Sequence, residues 1–372
     1  MADILILGGY GYTGKPLARH LLAWSNAGVV LGGRHIEKAR ALADQLNAEF
    51  TGQRVSANYV DAADRQSLDS ALSSVDLIVV AAPTTHHAEN VVHAALDCRV
   101  DYLDVQLGSR KLALLQSLAS EIERRGLCFI TEAGFHPGLP SAMVRYAAAH
   151  LDRLDTALTA GYLNMGGSLP YTDAVDELME LFQEYQAQVY KEGKWTKASS
   201  YELRKIDFGA GIGERQCYSM FFEELRKLPE LYPSLKEVGF YISSTHWMVD
   251  WVIYPLAMVG LKISPRRLTR PMGRLVWWGM QNLPKPPYQV LLKVEVRGEK
   301  GEKPATFEAS VCHPDGYELT AIPVAACLLQ VLDGSARRPG LWMMGHLAEP
   351  VRLFADMQRM GVEVATSTLN NG

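Results

Sequence analysis

Short apolar runs alternate with helix-like segments along the first third of the chain. The runs predict strands at residues 4–7, 29–31, 54–60, 77–82, 102–105 and 128–131. Between the first two, Ala18, Leu21 and Leu22 recur at the spacing of one helix face. Buried strands that alternate with helices are typical of a parallel sheet covered by helices on both faces. The pattern therefore predicts an α/β domain, a Rossmann-type doubly wound parallel sheet.

The remainder of the chain has a different pattern. Residues 173–191 predict one long helix, and residues 204–214 predict a glycine-rich loop. Alternating apolar and polar positions at 288–297 and 306–312, joined by a polar turn, predict an antiparallel hairpin. We therefore expect an NAD(P)-binding type of Rossmann domain over 1–135 and a second, mixed α+β domain for substrate binding or dimerisation over 136–340. The last segment, 341–372, is expected to return to the Rossmann domain.

The charge balance and the length of the apolar runs narrow the range of partners. The 372 residues include 37 Lys and Arg against 41 Asp and Glu, which gives a formal net charge of −4. This balance provides no basic footprint for nucleic acid, so none is expected as a partner. The most apolar uncharged run, residues 319–332, is shorter than the ~20 residues that span a bilayer, which predicts no transmembrane segment.

The cysteines and the first residues indicate the compartment. The cysteines show neither a C-x-x-C pair nor a zinc spacing, and they are Cys98, Cys128, Cys217, Cys312 and Cys327. An odd number of cysteines without a pairing pattern suits a reducing compartment. The sequence runs from Met-Ala-Asp directly into an apolar strand without a cationic region, so no signal peptide is expected. We expect a cytoplasmic protein.

A glycine-rich turn follows the first predicted strand and opens the first predicted helix. It reads Gly8-Gly9-Tyr10-Gly11-Tyr12-Thr13-Gly14, and it satisfies G-x-G-x-x-G. Glycine permits the tight turn, the approach of a pyrophosphate to the backbone and the packing of the helix on the strand. The free N–H groups at the helix start then bind the phosphate. A purely structural turn is the alternative, and the strand–turn–helix context favours a dinucleotide site formed by Gly8, Gly9, Gly11, Tyr12, Thr13 and Gly14.

The end of the second strand distinguishes NADP from NAD. NAD-binding proteins place Asp or Glu about 20 residues beyond the glycines, where it accepts a hydrogen bond from the ribose 2′-OH. Here the position holds Arg34, whose guanidinium suits a 2′-phosphate, with Lys38 one helical turn later and Glu37 as an alternative ribose ligand. We therefore predict NADP(H) rather than NAD(H). The exit of the fourth strand, Ala82 and Pro83, is predicted to lie beside the nicotinamide ribose.

Several segments resemble, in their order along the chain, the saccharopine dehydrogenase (saccharopine reductase-like) family. They are residues 8–14, 33–34, 102–105, 132–138, 315–316 and 333–334. The likeness is good over 1–145 and patchy beyond, and it implies an NAD(P)-carrying Rossmann domain, a mixed substrate domain and hydride transfer at a C=N or C–N centre. The chain has His136-Pro137-Gly138 where the family often has Asp-Pro-Gly. It also lacks an evident arginine cluster for a dicarboxylate amino acid, so saccharopine is not the expected substrate.

The residues and the resemblance together indicate an NADP(H)-dependent oxidoreductase. The expected reaction is hydride transfer to or from a C=N or C=O centre of a small or amphipathic substrate. Two alternatives stay open: an enzyme similar to trans-acting enoyl reductases, which share the front half and act on lipid or acyl chains, and a non-catalytic NADP(H)-binding scaffold.

Residues at the ends of the fifth and sixth strands are the candidates for proton transfer. Asp104, Glu132 and His136 are expected near the cofactor crevice, and histidine exchanges protons near neutral pH. The alternative is that these side chains only stabilise turns or cap a helix. The run His86, His87, Glu89 and His93 lacks the H-E-x-x-H order, so no metal is predicted.

The segment 265–288 combines four arginines with two tryptophans and several prolines. A basic, tryptophan-bearing segment suits the surface of a membrane or the lining of an apolar acyl site. The sequence favours the alternative, a dimer or domain interface with the arginines in solvent, and a homodimer is expected, while peripheral membrane contact stays open.

Overall fold

The computed structural model describes residues 2–166, 170–184, 186–198, 203–209, 211–244 and 246–370. The chain divides into two compact units. Unit 1 consists of Met1–Leu139 with Tyr317–Met360, and unit 2 consists of Pro140–Gly316 with Gly361–Gly372.

The described residues form strands and α-helices that alternate in the first part of the chain. The strands are β1 (Asp3–Leu7), β2 (Gly28–Gly33), β3 (Val55–Tyr59), β4 (Leu77–Val80), β5 (Asp101–Asp104), β6 (Cys128–Thr131), β7 (Arg153–Asn164), β8 (Gln188–Lys191), β9 (Lys194–Lys197), β10 (Leu203–Asp207), β11 (Glu214–Met220), β12 (Glu237–Ser243), β13 (Gln289–Lys300), β14 (Lys303–His313), β15 (Gly340–Met343) and β16 (Glu363–Asn370). The helices are α1 (Gly14–Trp24), α2 (Ile36–Glu49), α3 (Arg65–Leu72), α4 (Ala88–Cys98), α5 (Ser109–Ser117), α6 (Ala119–Arg124), α7 (Leu139–Ala148), α8 (Asp173–Glu184), α9 (Leu228–Leu231), α10 (Tyr254–Ile263), α11 (Pro265–Asn282), α12 (Gly316–Leu332), α13 (Met344–Leu347) and α14 (Pro350–Arg359).

Unit 1 is built on a parallel sheet with the strand order β15-β6-β5-β4-β1-β2-β3. The inner strand β1 is covered on both faces, which is why Ile4, Leu5 and Ile6 are wholly buried. The Rossmann-type sheet and the mixed second sheet confirm the predicted fold class. The carboxyl ends of all these strands meet at one edge of the sheet, where doubly wound proteins bind their ligands.

Unit 2 is built on a mixed sheet with the order β10-β11-β12-β7-β13-β14-β16, and β8 and β9 extend it beside β12. The strands β7 and β12 pair in parallel, whereas β13 and β14 form the antiparallel hairpin that the alternation predicted. Two other expectations differ from the structure. Residues 173–191 hold the helix α8 and then the strand β8, and residues 204–214 hold most of β10 and the start of β11.

The unit boundaries differ from the predicted domain boundaries, which fall after residue 135 and after residue 340. The chain re-enters unit 1 at Tyr317, because nearly every side chain of α12 is apolar and buried, and Glu318 contacts His20 of α1 at 2.8 Å. The last strand does not join unit 1. It pairs with β14 of unit 2 along its whole length, since β14 has an open edge on that side.

None of the helices among the described residues is both long enough and apolar enough to cross a membrane.

Candidate functional site

Two glycines of the turn between β1 and α1 are required by the turn itself. Gly8 has a φ of +86°, and its N–H donates to the Gly32 carbonyl at 2.8 Å. A Cβ on Gly8 would lie 2.8 Å from the Ala82 Cβ, so the turn touches the exit of β4. A Cβ on Gly14 would lie 2.2 Å from the Gly8 carbonyl oxygen. Any side chain at either position would force the backbone to move.

Gly11 has a different environment. Among the described residues, a Cβ on Gly11 would meet one atom within 4 Å, the Gly8 carbonyl oxygen at 3.0 Å. Beside it, α1 begins with no acidic residue in its first turn, and the Thr13 side chain at its N-cap makes no capping hydrogen bond there. The helix start therefore keeps its partial positive charge available. This open backbone surface beside a helix N-terminus fits a pyrophosphate.

Arg34 follows β2 at the same edge of the sheet. Its side chain is exposed, and neither Arg34 nor Lys38 has an ion pair among the described residues. Glu37, the alternative ribose ligand, binds Arg40 at 3.1 Å. Within the described part of the chain, two cations thus lie without a counter-charge at the position predicted for a 2′-phosphate.

Tyr10 is a structural residue of the site that the sequence did not reveal. Its hydroxyl accepts a hydrogen bond from the His35 N–H at 3.0 Å. A Cβ on Gly33 would lie 2.5 Å from that hydroxyl. Tyr10 therefore joins the glycine-rich turn to the end of β2 and fixes the loop that carries Arg34.

The start of α12 also lies against this turn. The Tyr12 ring stacks on Tyr317 with 5.0 Å between ring centroids and an interplanar angle of 25°. Tyr12 is otherwise 48% exposed. A residue more than 300 positions away in the sequence therefore forms one wall beside the glycines, which no local pattern could indicate.

Asp104, at the end of β5, is the centre of a buried polar network. Its carboxylate is wholly buried and pairs with Lys111, which is 1% exposed. It also accepts hydrogen bonds from the Thr131 hydroxyl at 2.8 Å and the Gln106 N–H at 3.0 Å. These contacts give Asp104 a structural role at the edge of the sheet, and a catalytic role for it stays a prediction.

Gln106 carries the network to the exit of β4. Its side-chain amide donates to the Ala82 carbonyl at 2.7 Å and to the Thr84 hydroxyl at 3.0 Å. Ala82 and the adjoining Pro83 are thereby held at the place predicted for the nicotinamide ribose. Lys111 and Gln106 were both missed by sequence reasoning, because a lysine in an amphipathic helix and a glutamine in a loop are ordinarily solvated.

Glu132 adjoins Asp104 at the end of β6. Its N–H donates to the Asp104 carboxylate at 3.3 Å, and its side chain is 2% exposed. Its φ is +52°, in the left-handed region that a residue with a Cβ seldom adopts. Such backbone strain at a strand end is often associated with functional sites. The structure thus brings Glu132 together with Asp104 and, through Gln106, with Ala82.

His136 lies in the turn that follows. The Phe135 ring packs beside it with 4.3 Å between ring centroids, and burial lowers the pKa of His136 to about 4. The imidazole is therefore neutral at physiological pH and accepts a proton less readily than an ordinary histidine. A catalytic role for His136 stays a prediction.

Because the pKa of His136 is lowered in the folded protein, we predict that the free energy of unfolding depends on pH. Between about 6.5, the ordinary value, and about 4, the unfolded chain binds a proton that the folded chain does not. Stability is therefore complete above about pH 6.5 and falls as the pH is lowered towards 4, by about 1–3 kcal/mol from this group. Urea unfolding at a series of pH values should show this loss. His136→Gln should remove it, and equal pH slopes in both proteins would contradict the assignment.

Comparison with known proteins agrees with this geometry. Residues 4–127 match the family described as the saccharopine dehydrogenase NADP binding domain. Carboxynorspermidine synthase of Vibrio cholerae is 25% identical over 268 residues, 67% of this chain and 63% of the relative. Saccharopine dehydrogenase [NADP(+), L-glutamate-forming] of Saccharomyces cerevisiae is 26% identical over 214 residues, 54% of this chain and 45% of the relative. The chain thus matches less than two thirds of the length of these relatives.

A solved structure shows the same fold over the whole chain. Apo saccharopine dehydrogenase (L-Glu forming) from Saccharomyces cerevisiae superposes with a TM-score of 0.72, covering 99% of this chain and 100% of that chain at 16% identity. The glycine-rich turn, the strand order and the matched domain define an NADP-binding protein of the Rossmann class. The NADP-binding part of the chain, residues 4–127, matches the saccharopine dehydrogenase family, and the whole chain shares the fold of a saccharopine dehydrogenase. The predicted resemblance and the predicted cofactor, NADP(H), are both confirmed.

Proposed function

We propose that the protein is an NADP(H)-dependent oxidoreductase that transfers a hydride to or from a C=N or C=O centre of a small or amphipathic substrate. The observation that carries the proposal is the open backbone surface over Gly11 together with two cations beyond the end of β2. These cations, Arg34 and Lys38, have no ion pair among the described residues. The relatives named as a synthase and a dehydrogenase support it. The five free cysteines are consistent with a cytoplasmic location.

The residues of unit 1 have separate proposed roles in binding the cofactor and in proton exchange. The cofactor, when bound, would supply the hydride as NADPH or accept it as NADP⁺. Gly11 and the start of α1 would hold the pyrophosphate, Arg34 and Lys38 the 2′-phosphate, and Ala82 with Pro83 the nicotinamide ribose. Glu132 and His136 are the proposed groups for proton exchange with the substrate. Unit 2 is the proposed substrate domain.

Cofactor preference is the first part of the test. We expect calorimetric titration to show NADPH binding well above NADH binding. Arg34→Ala should weaken NADPH about 10- to 100-fold and leave NADH unchanged, because alanine cannot donate the charged hydrogen bond to the 2′-phosphate, a group that NADH lacks. Arg40→Ala, an exposed arginine on the following helix α2 that is paired with Glu37, is the matched control and should change neither affinity. Equal binding of NADH and NADPH by the parent protein would refute the assignment.

Turnover is the second part of the test. Purified protein and NADPH would be incubated with imines formed from amines and aldehydes, with ketones, and with apolar enones or acyl chains, and NADPH absorbance followed. Oxidation of NADPH by an imine or a carbonyl compound supports the proposal. Oxidation by the enones or acyl chains alone would indicate an enzyme similar to enoyl reductases. Tight NADPH binding without any turnover would indicate the scaffold function.

A further inference from the structure

Unit 2 exposes a stripe of large apolar side chains on one helical segment, formed by the π-helical turn Val249–Ile253 with its two preceding residues and by α10. Each side chain of this stripe is between 48% and 76% exposed: Trp247, Trp251, Val252, Leu256, Val259 and Ile263. Apart from the adjacent Trp251 and Val252, they recur every three to four residues, so they lie on one side of the helical segment. Soluble proteins seldom expose a contiguous apolar surface of this kind without a partner.

The opposite face of the same segment is already occupied. Val249, Ile253, Ala257 and Leu261 are buried there against α8 and α11, where they form one apolar cluster with Met179 and Val276. The segment is therefore apolar on both faces, and unit 2 buries one of these faces in its core. Packing within unit 2 does not account for the apolar residues of the exposed stripe.

The residues around the stripe carry mostly positive charge, which favours a negatively charged partner. From residue 251 to residue 288 the sequence contains six basic residues and no acidic residue, although the whole chain carries a net charge of −4. Lys262 and Arg267, on either side of the turn between α10 and α11, are exposed and lack ion pairs among the described residues. Among the described residues, the one ion pair of Arg270 is with Asp173, at 4.0 Å, and both side chains are at least 60% exposed.

We propose that this stripe and its flanking cations, Lys262 and Arg267, bind the surface of a bilayer that carries anionic phospholipids. Tryptophans and aliphatic side chains on one helix face enter the boundary between headgroups and acyl chains, where amphipathic helices with cationic flanks bind. The basic residues at the helix turn contact the headgroup phosphates. A second copy of the chain is the less suitable occupant, because the exposed cations beside the stripe, Lys262 and Arg267, would face the same cations of the copy and repel them.

Vesicle co-sedimentation of the full-length protein tests the proposal. We expect binding to vesicles of phosphatidylcholine with phosphatidylglycerol, and much weaker binding to phosphatidylcholine alone. Reversing the two cations in Lys262→Glu/Arg267→Glu should weaken binding by at least about 30-fold, whereas Lys303→Glu, an exposed lysine on β14, should not. Trp251→Ser/Leu256→Ser should weaken it by at least about tenfold, and Val351→Ser, 47% exposed in unit 1, is its matched control.

A measurement on the parent protein avoids dependence on the variants. Tryptophan fluorescence should shift to shorter wavelength on the anionic vesicles and be quenched by lipids brominated near the headgroup. Failure of the parent protein to bind anionic vesicles would overturn the proposal. It would also be overturned if analytical ultracentrifugation showed a dimer that Trp251→Ser/Leu256→Ser converts to a monomer, since the stripe would then be a subunit contact. Neither outcome bears on NADPH binding, which is tested separately.

Discussion

Gly11→Val is expected to abolish measurable NADPH binding while leaving unit 1 folded. Among the described residues, the Gly11 Cβ would meet one atom, the Gly8 carbonyl oxygen at 3.0 Å, so the turn has to move by only a few tenths of an ångström. The two methyl groups of valine would occupy the space above the backbone that a pyrophosphate needs. We expect affinity to fall by at least about 100-fold in calorimetric titration, with an unchanged circular dichroism spectrum and a smaller decrease in melting temperature than Gly14→Ala causes.

Gly14 provides the contrast that makes this experiment decisive. A Cβ on Gly14 would lie 2.2 Å from the Gly8 carbonyl oxygen, so Gly14→Ala should lower the melting temperature itself. Comparing Gly11→Val with Gly14→Ala separates a loss of NADPH affinity from a loss of folding stability. A folded Gly11→Val protein with the parent affinity for NADPH would show that the glycine-rich turn does not hold the cofactor.

The Rossmann half of the fold was predictable because its signals are local. Each buried strand is a short apolar run, and the glycines of residues 8–14 mark the turn between β1 and α1. β15 was missed because it is short and pairs with β6 from more than 200 residues away. β7, at the centre of the second sheet, was missed because threonine, alanine and glycine interrupt its alternation.

The site was predictable where chemistry requires a residue type and unpredictable where packing decides. The glycines and Arg34 follow from what a phosphate needs, and the sequence identified them. Tyr10 and Lys111 act through contacts with strand ends that only the folded chain brings together. Buried Lys111 is the strongest example, because nothing in the periodicity of α5 distinguishes it from a solvated lysine.

The second large effect is expected at the buried pair of Asp104 and Lys111. Removing the carboxylate in Asp104→Ala leaves a lysine ammonium that is 1% exposed and, among the described residues, retains as partners only the Thr131 hydroxyl, at 2.9 Å, and the Gln106 carbonyl. Breaking one side of a buried ion pair costs about 3–5 kcal/mol, because an uncompensated charge remains inside the protein. Urea unfolding should report a decrease of this size. NADPH affinity should fall as well, since Asp104 accepts a hydrogen bond from the N–H of Gln106, whose side chain binds the Ala82 carbonyl.

The double variant Asp104→Leu/Lys111→Met removes both charges and should therefore be less destabilised than Asp104→Ala alone. Measuring Asp104→Leu and Lys111→Met singly completes the cycle and gives the coupling of the two groups, because in independent sites the two single effects would add. Glu37→Ala is the matched control. Its carboxylate also pairs with a cation, Arg40, but the two side chains are 81% and 62% exposed, so the decrease in stability should stay below about 0.5 kcal/mol. If Asp104→Ala cost no more than Glu37→Ala, the buried network could not be what holds the strand ends of β4, β5 and β6 in place, and the proposed ribose position at Ala82 would have no support from it.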